Sequence, residues 1–212
     1  MPVRNVVRYQ APDVFYHVYN RGHNGGLLFS DEEDYAYFEW LLARCYGPVQ
    51  LKSKTGRPFP WFGDQVTLHA FCLIPNHFHL LLHQGEDAGS LSKSMQSLAT
   101  TYSMYFNKKY SRRGSVFESV FKAVPILNES YLQHITRYIH LNPRDFKNWP
   151  HSSYMDYMGS GSHGWVSVDR ILSIFDSREQ YKQFIDDYKE LRDELDSLKH
   201  ELADYGDTYY TI

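Results

Sequence analysis

Residues 75–82 read Pro-Asn-His-Phe-His-Leu-Leu-Leu and place two imidazoles two positions apart inside an apolar run. Successive side chains of a β-strand point to opposite faces, so we expect His77 and His79 on one face and the apolar even-numbered residues on the other. Two imidazoles side by side on a strand are able to hold one divalent ion. The spacing fits equally well a pair of hydrogen-bonded histidines on a half-buried strand, so by itself it leaves both interpretations open.

A second informative stretch, residues 131–143, reads Tyr-Leu-Gln-His-Ile-Thr-Arg-Tyr-Ile-His-Leu-Asn-Pro and predicts a helix. Apolar residues recur every three or four positions, and Pro143 follows as a stop. Tyr138 and Asn142 are four positions apart and therefore share one helical face. Set against the histidine pair, they would bring a nucleophile, a third metal ligand and two imidazoles together. The competing interpretation is that Tyr138 is a packing residue and Asn142 a helix cap.

Further short motifs follow one another along the chain: Tyr-His-Val-Tyr-Asn-Arg-Gly at 16–22, Asp-Tyr at 34–35, Tyr-Phe-Asn at 105–107, Arg-Gly-Ser-Val-Phe-Glu at 113–118 and Phe-Lys-Ala at 121–123. Together with the histidine pair and the tyrosine helix, they resemble the single-tyrosine HUH transposases, in particular the REP-associated tyrosine transposases. The resemblance covers roughly residues 12–158. One departure is Ser119-Val120, where that family often carries a Gly-Arg pair.

The order of predicted elements indicates an α+β fold. The predicted strands are Val14–Arg21, Val66–Ile74 and His77–His83, with a strand or hairpin over Val116–Val124. The predicted helices are Asp31–Cys45, Ser90–Lys109 and Glu129–Asn142. Short turns between neighbouring strands favour an antiparallel sheet with helices packed against it. The resemblance implies the ferredoxin-like sheet flanked by helices of the HUH endonuclease fold.

The chain divides into three predicted segments. We expect a single-tyrosine transposase domain over residues 1–158, a Gly- and Ser-rich linker over 159–164, and an acidic helical extension over 165–212. Apolar residues in the extension recur at alternating threes and fours from Tyr181 to Tyr205. This seam fits both a helix packed on its own domain and a two-stranded coiled coil, which would make the protein a homodimer.

Composition excludes several classes of protein. Two cysteines in 212 residues, Cys45 and Cys72, do not make a disulfide framework, and we expect reduced core thiols. No apolar run approaches the ~20 residues that cross a bilayer. The N-terminus also lacks the hydrophobic stretch of a signal peptide. We therefore expect a cytoplasmic, nucleoid-associated protein without a membrane partner.

The net charge of −3 conceals an uneven distribution. Residues 102–147 contain eight Lys/Arg and three Asp/Glu, whereas residues 176–212 contain five Lys/Arg and eleven Asp/Glu. Basic side chains interleaved with aromatic rings suit a phosphate backbone with unstacked bases, although a single lysine is more often simply solvated. The predicted DNA-binding residues are Arg21, Lys108, Lys109, Arg112, Arg113, Lys122, Arg137 and Arg144.

The predicted site determines the expected chemistry. A divalent ion on His77, His79 and Asn142 would leave positions open for a phosphate oxygen. Mixed imidazole and amide ligands favour Mn²⁺ over Mg²⁺ among the hard ions, and Zn²⁺ competes. Tyr138 would attack phosphorus and stay joined to the 5′-phosphate. The neighbouring His134 and His140 are the candidates for a general base.

We therefore expect a metal-dependent endonuclease and strand transferase that acts on single-stranded DNA at hairpins. By resemblance, these hairpins would be repetitive extragenic palindromes or the ends of a mobile element. One alternative is a module that binds DNA or RNA hairpins without cleaving them. Another is a zinc-dependent hydrolase of small substrates.

Overall fold

The computed structural model describes residues 11–188, which form a four-stranded antiparallel sheet between two layers of helices. The strands are β1 (Val14–Arg21), β2 (Val66–Ile74), β3 (His77–Gln84) and β4 (Lys122–Ile126), in the order β2-β3-β1-β4. This arrangement confirms the predicted α+β class. Among residues 11–188, no helix is long and apolar enough to cross a membrane.

One helical layer contains α1 (Glu32–Tyr46) and α2 (Ser90–Lys109). The layer on the opposite face of the sheet contains α3 (Glu129–His140), α4 (Tyr154–Tyr157), α5 (Asp169–Leu172) and α6 (Arg178–Asp186). Side-chain oxygens cap α1 and α3: Asp31 accepts from the Asp34 amide at the start of α1, and Asn128 accepts from the Tyr131 amide at the start of α3.

Strand β3 shows how the alternation of side chains separates the core from the site. Phe78, Leu80 and Leu82 are buried in the core formed with α1 and α2. Leu81 is buried on the opposite face, in the core formed with α3. His77 and His79 share this second face because they have the same parity as Leu81. The predicted separation of histidines from apolar neighbours is therefore confirmed.

Two predicted elements have bounds that differ from the structure by more than one residue. The last strand spans Lys122–Ile126 rather than Val116–Val124. The sheet tolerates Pro125 inside this strand because β4 is an edge strand that pairs only with β1. The preceding residues lie outside the strand, where Val116 and Phe117 are buried by the core. Helix α3 ends at His140, so Asn142 lies just beyond the helix.

The C-terminal helices close over α3. Tyr181 and Ile185 of α6 are fully buried in the same core as α3, so the first part of the predicted extension packs on the sheet domain. His140 joins the two helices, because its Nδ1 lies 2.6 Å from the Tyr181 hydroxyl and its Nε2 lies 2.8 Å from the Ser153 hydroxyl. The rest of the apolar seam, with the coiled-coil interpretation, lies outside the described residues.

Because several histidines are buried, we expect the folded protein to lose stability as the pH falls. Burial lowers the pKa of His17 and of His69 to about 4, and that of His140 to about 3. All three are neutral when folded, whereas an exposed imidazole of the unfolded chain takes up a proton below about pH 6.5. The contribution of these histidines to the free energy of unfolding is therefore fully present above pH 6.5. It is lost as pH falls towards 4, by about 1.4 kcal/mol per pH unit for each histidine.

Urea unfolding at a series of pH values between 7 and 4.5 measures this effect. The midpoint is expected to fall steadily, and the variant His69→Gln should show a shallower decline because it lacks one of the three groups. His163 opposes the trend: burial lowers its pKa, but the bond to Asp156 outweighs burial and leaves the pKa raised. A midpoint that stays constant from pH 7 to pH 5 would contradict the prediction.

Candidate active site

A cavity of about 560 Å³ opens on the α3 side of the sheet, where β1 and β3 meet the tyrosine helix. It is lined by Tyr19, Asn20, Arg21, Asn76, His77, His79, Glu118, Ser119, Lys122 and Tyr138. The register of β1 against β3 explains the composition, since Tyr19 pairs with His79 and Arg21 pairs with His77. Five of the predicted site residues line this one cavity: Arg21, His77, His79, Lys122 and Tyr138.

The structure brings the predicted metal ligands together. The His77 and His79 rings lie edge to face with their centroids 5.0 Å apart. The Asn142 Oδ1 atom lies 3.1 Å from His77 Nε2, although Asn142 is outside the helix. The turn that follows α3 therefore places the amide against the start of β3.

Tyr138 lies over the histidines. Its ring packs edge-on against His79, with centroids 5.2 Å apart, and against His17 at 5.9 Å. The side chain is 38% exposed, so the phenol combines contact with the site and access from solvent. Its neighbour Ile139 is fully buried and fixes the orientation of the helix.

His17 is a member of the site to which the motif pattern assigned no role. Its Nε2 lies 2.9 Å from His79 Nδ1, and the two rings lie edge to edge, 20° from parallel, with centroids 5.1 Å apart. The side chain is buried, and the loss of hydration lowers its pKa to about 4, so the ring is neutral at pH 7. Parity could have revealed it, since residues 17, 19 and 21 of one strand must share a face.

An ion pair forms one edge of the cavity. Arg21 binds Glu118 with two nitrogens, its Nε to Oε2 and its Nη2 to Oε1, the latter at 3.0 Å. The Arg21 guanidinium holds the pKa of the Glu118 carboxyl below its usual range. Lys122 is exposed beside this pair, and its ammonium lies 5.8 Å from the centre of the Tyr19 ring. The cavity thus combines two cations and an aromatic ring with one carboxylate.

Two of the residues predicted to bind DNA lie elsewhere, in structural contacts. Lys109 at the end of α2 forms ion pairs with three carboxylates at the start of α1, namely Asp31, Glu33 and Asp34. Arg137 is directed away from the cavity, and its guanidinium stacks between two aromatic rings of the C-terminal segment, Phe184 at 4.1 Å and Tyr188 at 3.8 Å.

The remaining predicted basic residues are exposed outside the cavity. Lys108, Arg112 and Arg113 lie at the end of α2 and in the turn after it, and Arg144 follows α3. The Arg112 guanidinium lies 5.5 Å from the Phe106 ring centre. Lys108, Arg112 and Arg113 form an exposed basic cluster, and the contact of Arg112 with Phe106 shows that positive charge and an aromatic ring lie together there.

Neither candidate general base lines the cavity. His140 is fully buried between Tyr181 and Ser153. His134 lies a turn before Tyr138 and does not line the cavity, and its Nδ1 is 2.8 Å from an Arg137 nitrogen. Neither side chain is therefore placed in the cavity to accept the Tyr138 proton.

The donor set fits a divalent cation. Asn76 Oδ1, which only accepts, lies 2.8 Å from His77 Nδ1, so that nitrogen donates and the lone pair of a neutral ring is on Nε2. This lone pair and the Asn142 oxygen then converge at 3.1 Å. Two neighbouring ligands of one ion, each bound at about 2.1–2.2 Å, lie roughly 3 Å apart. Residues 11–188 contain no group of three His, Cys, Asp or Glu side chains suited to a metal, so an ion bound here would need the Asn142 amide as a third ligand.

Comparison with known proteins shows what this chain is similar to. Residues 63–142 match the model of a family described as "Transposase IS200 like", a range that includes both histidines, Tyr138 and Asn142. The predicted resemblance to the tyrosine transposases is confirmed. No curated protein matches the chain.

Two solved structures resemble this transposase-like chain. One is the REP-associated tyrosine transposase bound to a REP hairpin, with a TM-score of 0.54 and 14% identity over 78% of this chain and 92% of that one. The other is a proposed transposase from Deinococcus radiodurans R1, with a TM-score of 0.40 and 16% identity over 64% of this chain and 95% of that one. The first shows that the two proteins share a fold.

Proposed function

We propose that this protein is a metal-dependent endonuclease and strand transferase for single-stranded DNA, with Tyr138 as nucleophile. The observation that carries the proposal is the convergence of four groups: the partly exposed Tyr138 phenol, the two imidazoles of β3 and the Asn142 amide oxygen. The family match includes these residues, which strengthens the assignment. The structural neighbour binds a REP hairpin, and we propose a hairpin-bearing strand as substrate here.

The reaction exchanges one phosphodiester for another. The Tyr138 hydroxyl oxygen forms a bond to phosphorus, and the bond from phosphorus to the 3′ oxygen breaks. The phenol proton is lost to solvent, and the departing 3′ oxygen takes up a proton. The tyrosine keeps the 5′-phosphate, and attack by another 3′ hydroxyl reverses the exchange and joins two strands.

Each group of the site has a separate role in this reaction. His77, His79 and Asn142 would hold Mn²⁺ or Mg²⁺, which when bound neutralises charge on the phosphate. The packing of Tyr138 against His79 holds the phenol close to the ligands, so little freedom is lost on reaching the reactive geometry. Arg21 and Lys122 supply positive charge along the cavity.

The exposed basic cluster extends the proposed DNA contact away from the cavity. Lys108, Arg112 and Arg113 are solvent-accessible and able to neutralise phosphates of a bound strand. Arg144 offers a further charge after the tyrosine helix. By contrast, the contacts of Lys109 and Arg137 suggest that these two residues stabilise the fold.

The test uses the full-length protein and end-labelled single-stranded hairpin oligonucleotides with Mn²⁺, with Mg²⁺ or with a chelator. A denaturing gel should show, only in the presence of metal, a protein-linked band with 3′-labelled DNA and a released fragment ending in a 3′ hydroxyl with 5′-labelled DNA. Tight hairpin binding without a covalent band across varied sequences would favour a binding module. Hydrolysis that needs Zn²⁺ and ignores DNA would favour a small-substrate hydrolase.

A further inference from the structure

Both metal-binding histidines of the proposed site have a partner on the ring nitrogen Nδ1. For His77 that partner is the Asn76 side-chain oxygen at 2.8 Å, and for His79 it is the His17 Nε2 at 2.9 Å. A histidine that binds a metal through one nitrogen usually donates the other N–H to an acceptor, which fixes its tautomer and ring orientation. The two residues in this role come from different places, one from the turn before β3 and one from the neighbouring strand.

We propose that His17 is a positioning residue whose Nε2 accepts a hydrogen bond from His79 Nδ1 and thereby keeps the lone pair of His79 on Nε2 for the metal. The inference rests on the proposed function, because it assigns His79 as a ligand. It adds a residue outside the His-x-His pair and outside residues 63–142, the range matched by the family model.

The packing around His17 supports this role. The side chain is 7% exposed and stacks against Tyr19, with centroids 5.0 Å apart, while its edge meets the edge of the His79 ring. Its position on β1 is fixed by pairing with Leu81 of β3 and Val124 of β4. A buried imidazole that stacks on Tyr19 and belongs to a strand paired on both sides offers its acceptor atom at one place, as a preorganised partner should.

The hydrogen bond has two possible directions with opposite consequences. If His79 Nδ1 donates, the His79 lone pair is on Nε2 and the ring is ready to bind a metal. If His17 Nε2 donates, the His79 proton is on Nε2 and that nitrogen cannot bind a metal. The matching arrangement at His77, where an oxygen can only accept, indicates that the first direction is the one built into this site.

The first test reads the tautomer without any metal or substrate. Long-range nitrogen–proton spectra of the imidazole rings in the metal-free protein are expected to show His79 as the Nδ1–H form and His17 with a lone pair on Nε2. A His79 ring with its proton on Nε2 would overturn the inference.

The second test measures Mn²⁺ affinity by titration calorimetry. His17→Leu is expected to weaken binding by about 10–100-fold, because the partner of a metal-binding histidine typically contributes that much. His17→Gln keeps an acceptor near the same place and should bind within about threefold of wild type. His69→Leu is the matched control, since it removes another buried histidine from a strand away from the cavity and should leave affinity unchanged.

His79→Ala separates this inference from the proposed function. If His79→Ala loses Mn²⁺ binding while His17→Leu binds as tightly as wild type, the metal site stands and the role of His17 is wrong. If His79→Ala binds as wild type does, the proposed metal site itself fails. Should His17→Leu not fold, the tautomer spectra of the wild-type protein and the affinity of His17→Gln still decide the question.

Discussion

Tyr138→Phe is expected to abolish the covalent DNA adduct while leaving hairpin binding within about twofold of wild type. The substitution removes one oxygen atom, so the ring contacts with His79 and His17 remain. Loss of a nucleophile that forms a covalent intermediate removes the reaction path itself, and we expect a decrease of at least about 10³-fold. The measurement is the rate of adduct formation on a denaturing gel, together with affinity from a native titration.

Tyr131→Phe provides a matched control for this experiment. Tyr131 is on the same helix and is equally exposed, at 38%, but it does not line the cavity. Its variant should form the adduct at the wild-type rate. A Tyr138→Phe protein that still becomes linked to DNA would require another nucleophile, and equal losses in both variants would indicate damage to the helix.

Asp34→Ala is expected to reduce the free energy of unfolding by about 3–5 kcal/mol, because it removes one partner from a buried group of ionised and hydroxyl side chains. The carboxylate is fully buried at the start of α1. It accepts hydrogen bonds from the Lys109 ammonium at 2.9 Å and from the hydroxyls of Tyr105 at 3.0 Å and Tyr110 at 2.8 Å. Without it, the two helices lose the group that joins their ends.

Glu33→Ala is the matched control for the stability measurement. Glu33 pairs with the same ammonium at 3.0 Å, but its side chain is 71% exposed. An exposed ion pair contributes at most about 1 kcal/mol. Urea unfolding should therefore show a much larger loss in the free energy of unfolding for Asp34→Ala than for Glu33→Ala. Equal losses would mean that the burial of Asp34 does not determine how much it stabilises the protein.

The bounds of a strand could be predicted where the alternation of side chains and the turn-forming residues indicate the same ends. Val14–Arg21 and Val66–Ile74 have the predicted bounds, because each alternates between two buried faces and ends at a turn. The shift of the last strand could not be predicted, since Pro125 suggests a strand end unless the strand is known to lie at the edge of the sheet. Edge position is a property of the whole sheet, which local sequence does not contain.

The same limit applies to the site. Spacing predicted that Tyr138 and Asn142 would approach the histidine pair, and the structure brings them together. Spacing could not assign partners to charged residues, because Lys109 meets carboxylates more than seventy positions away. Parity places His17 on the same face as Tyr19 and Arg21, but its contact with His79 depends on the pairing of two strands distant in sequence, which spacing does not show.

The anchoring of the tyrosine helix has a consequence for the kinetic order of the reaction. Helix α3 is held on one side by the sheet and on the other by α6, through the His140–Tyr181 contact and the Arg137 stack. The Tyr138 ring on this helix packs against histidines of the same polypeptide, so one molecule contains every group that the proposed chemistry needs. Cleavage per molecule should accordingly be independent of protein concentration, and dilution should not slow it.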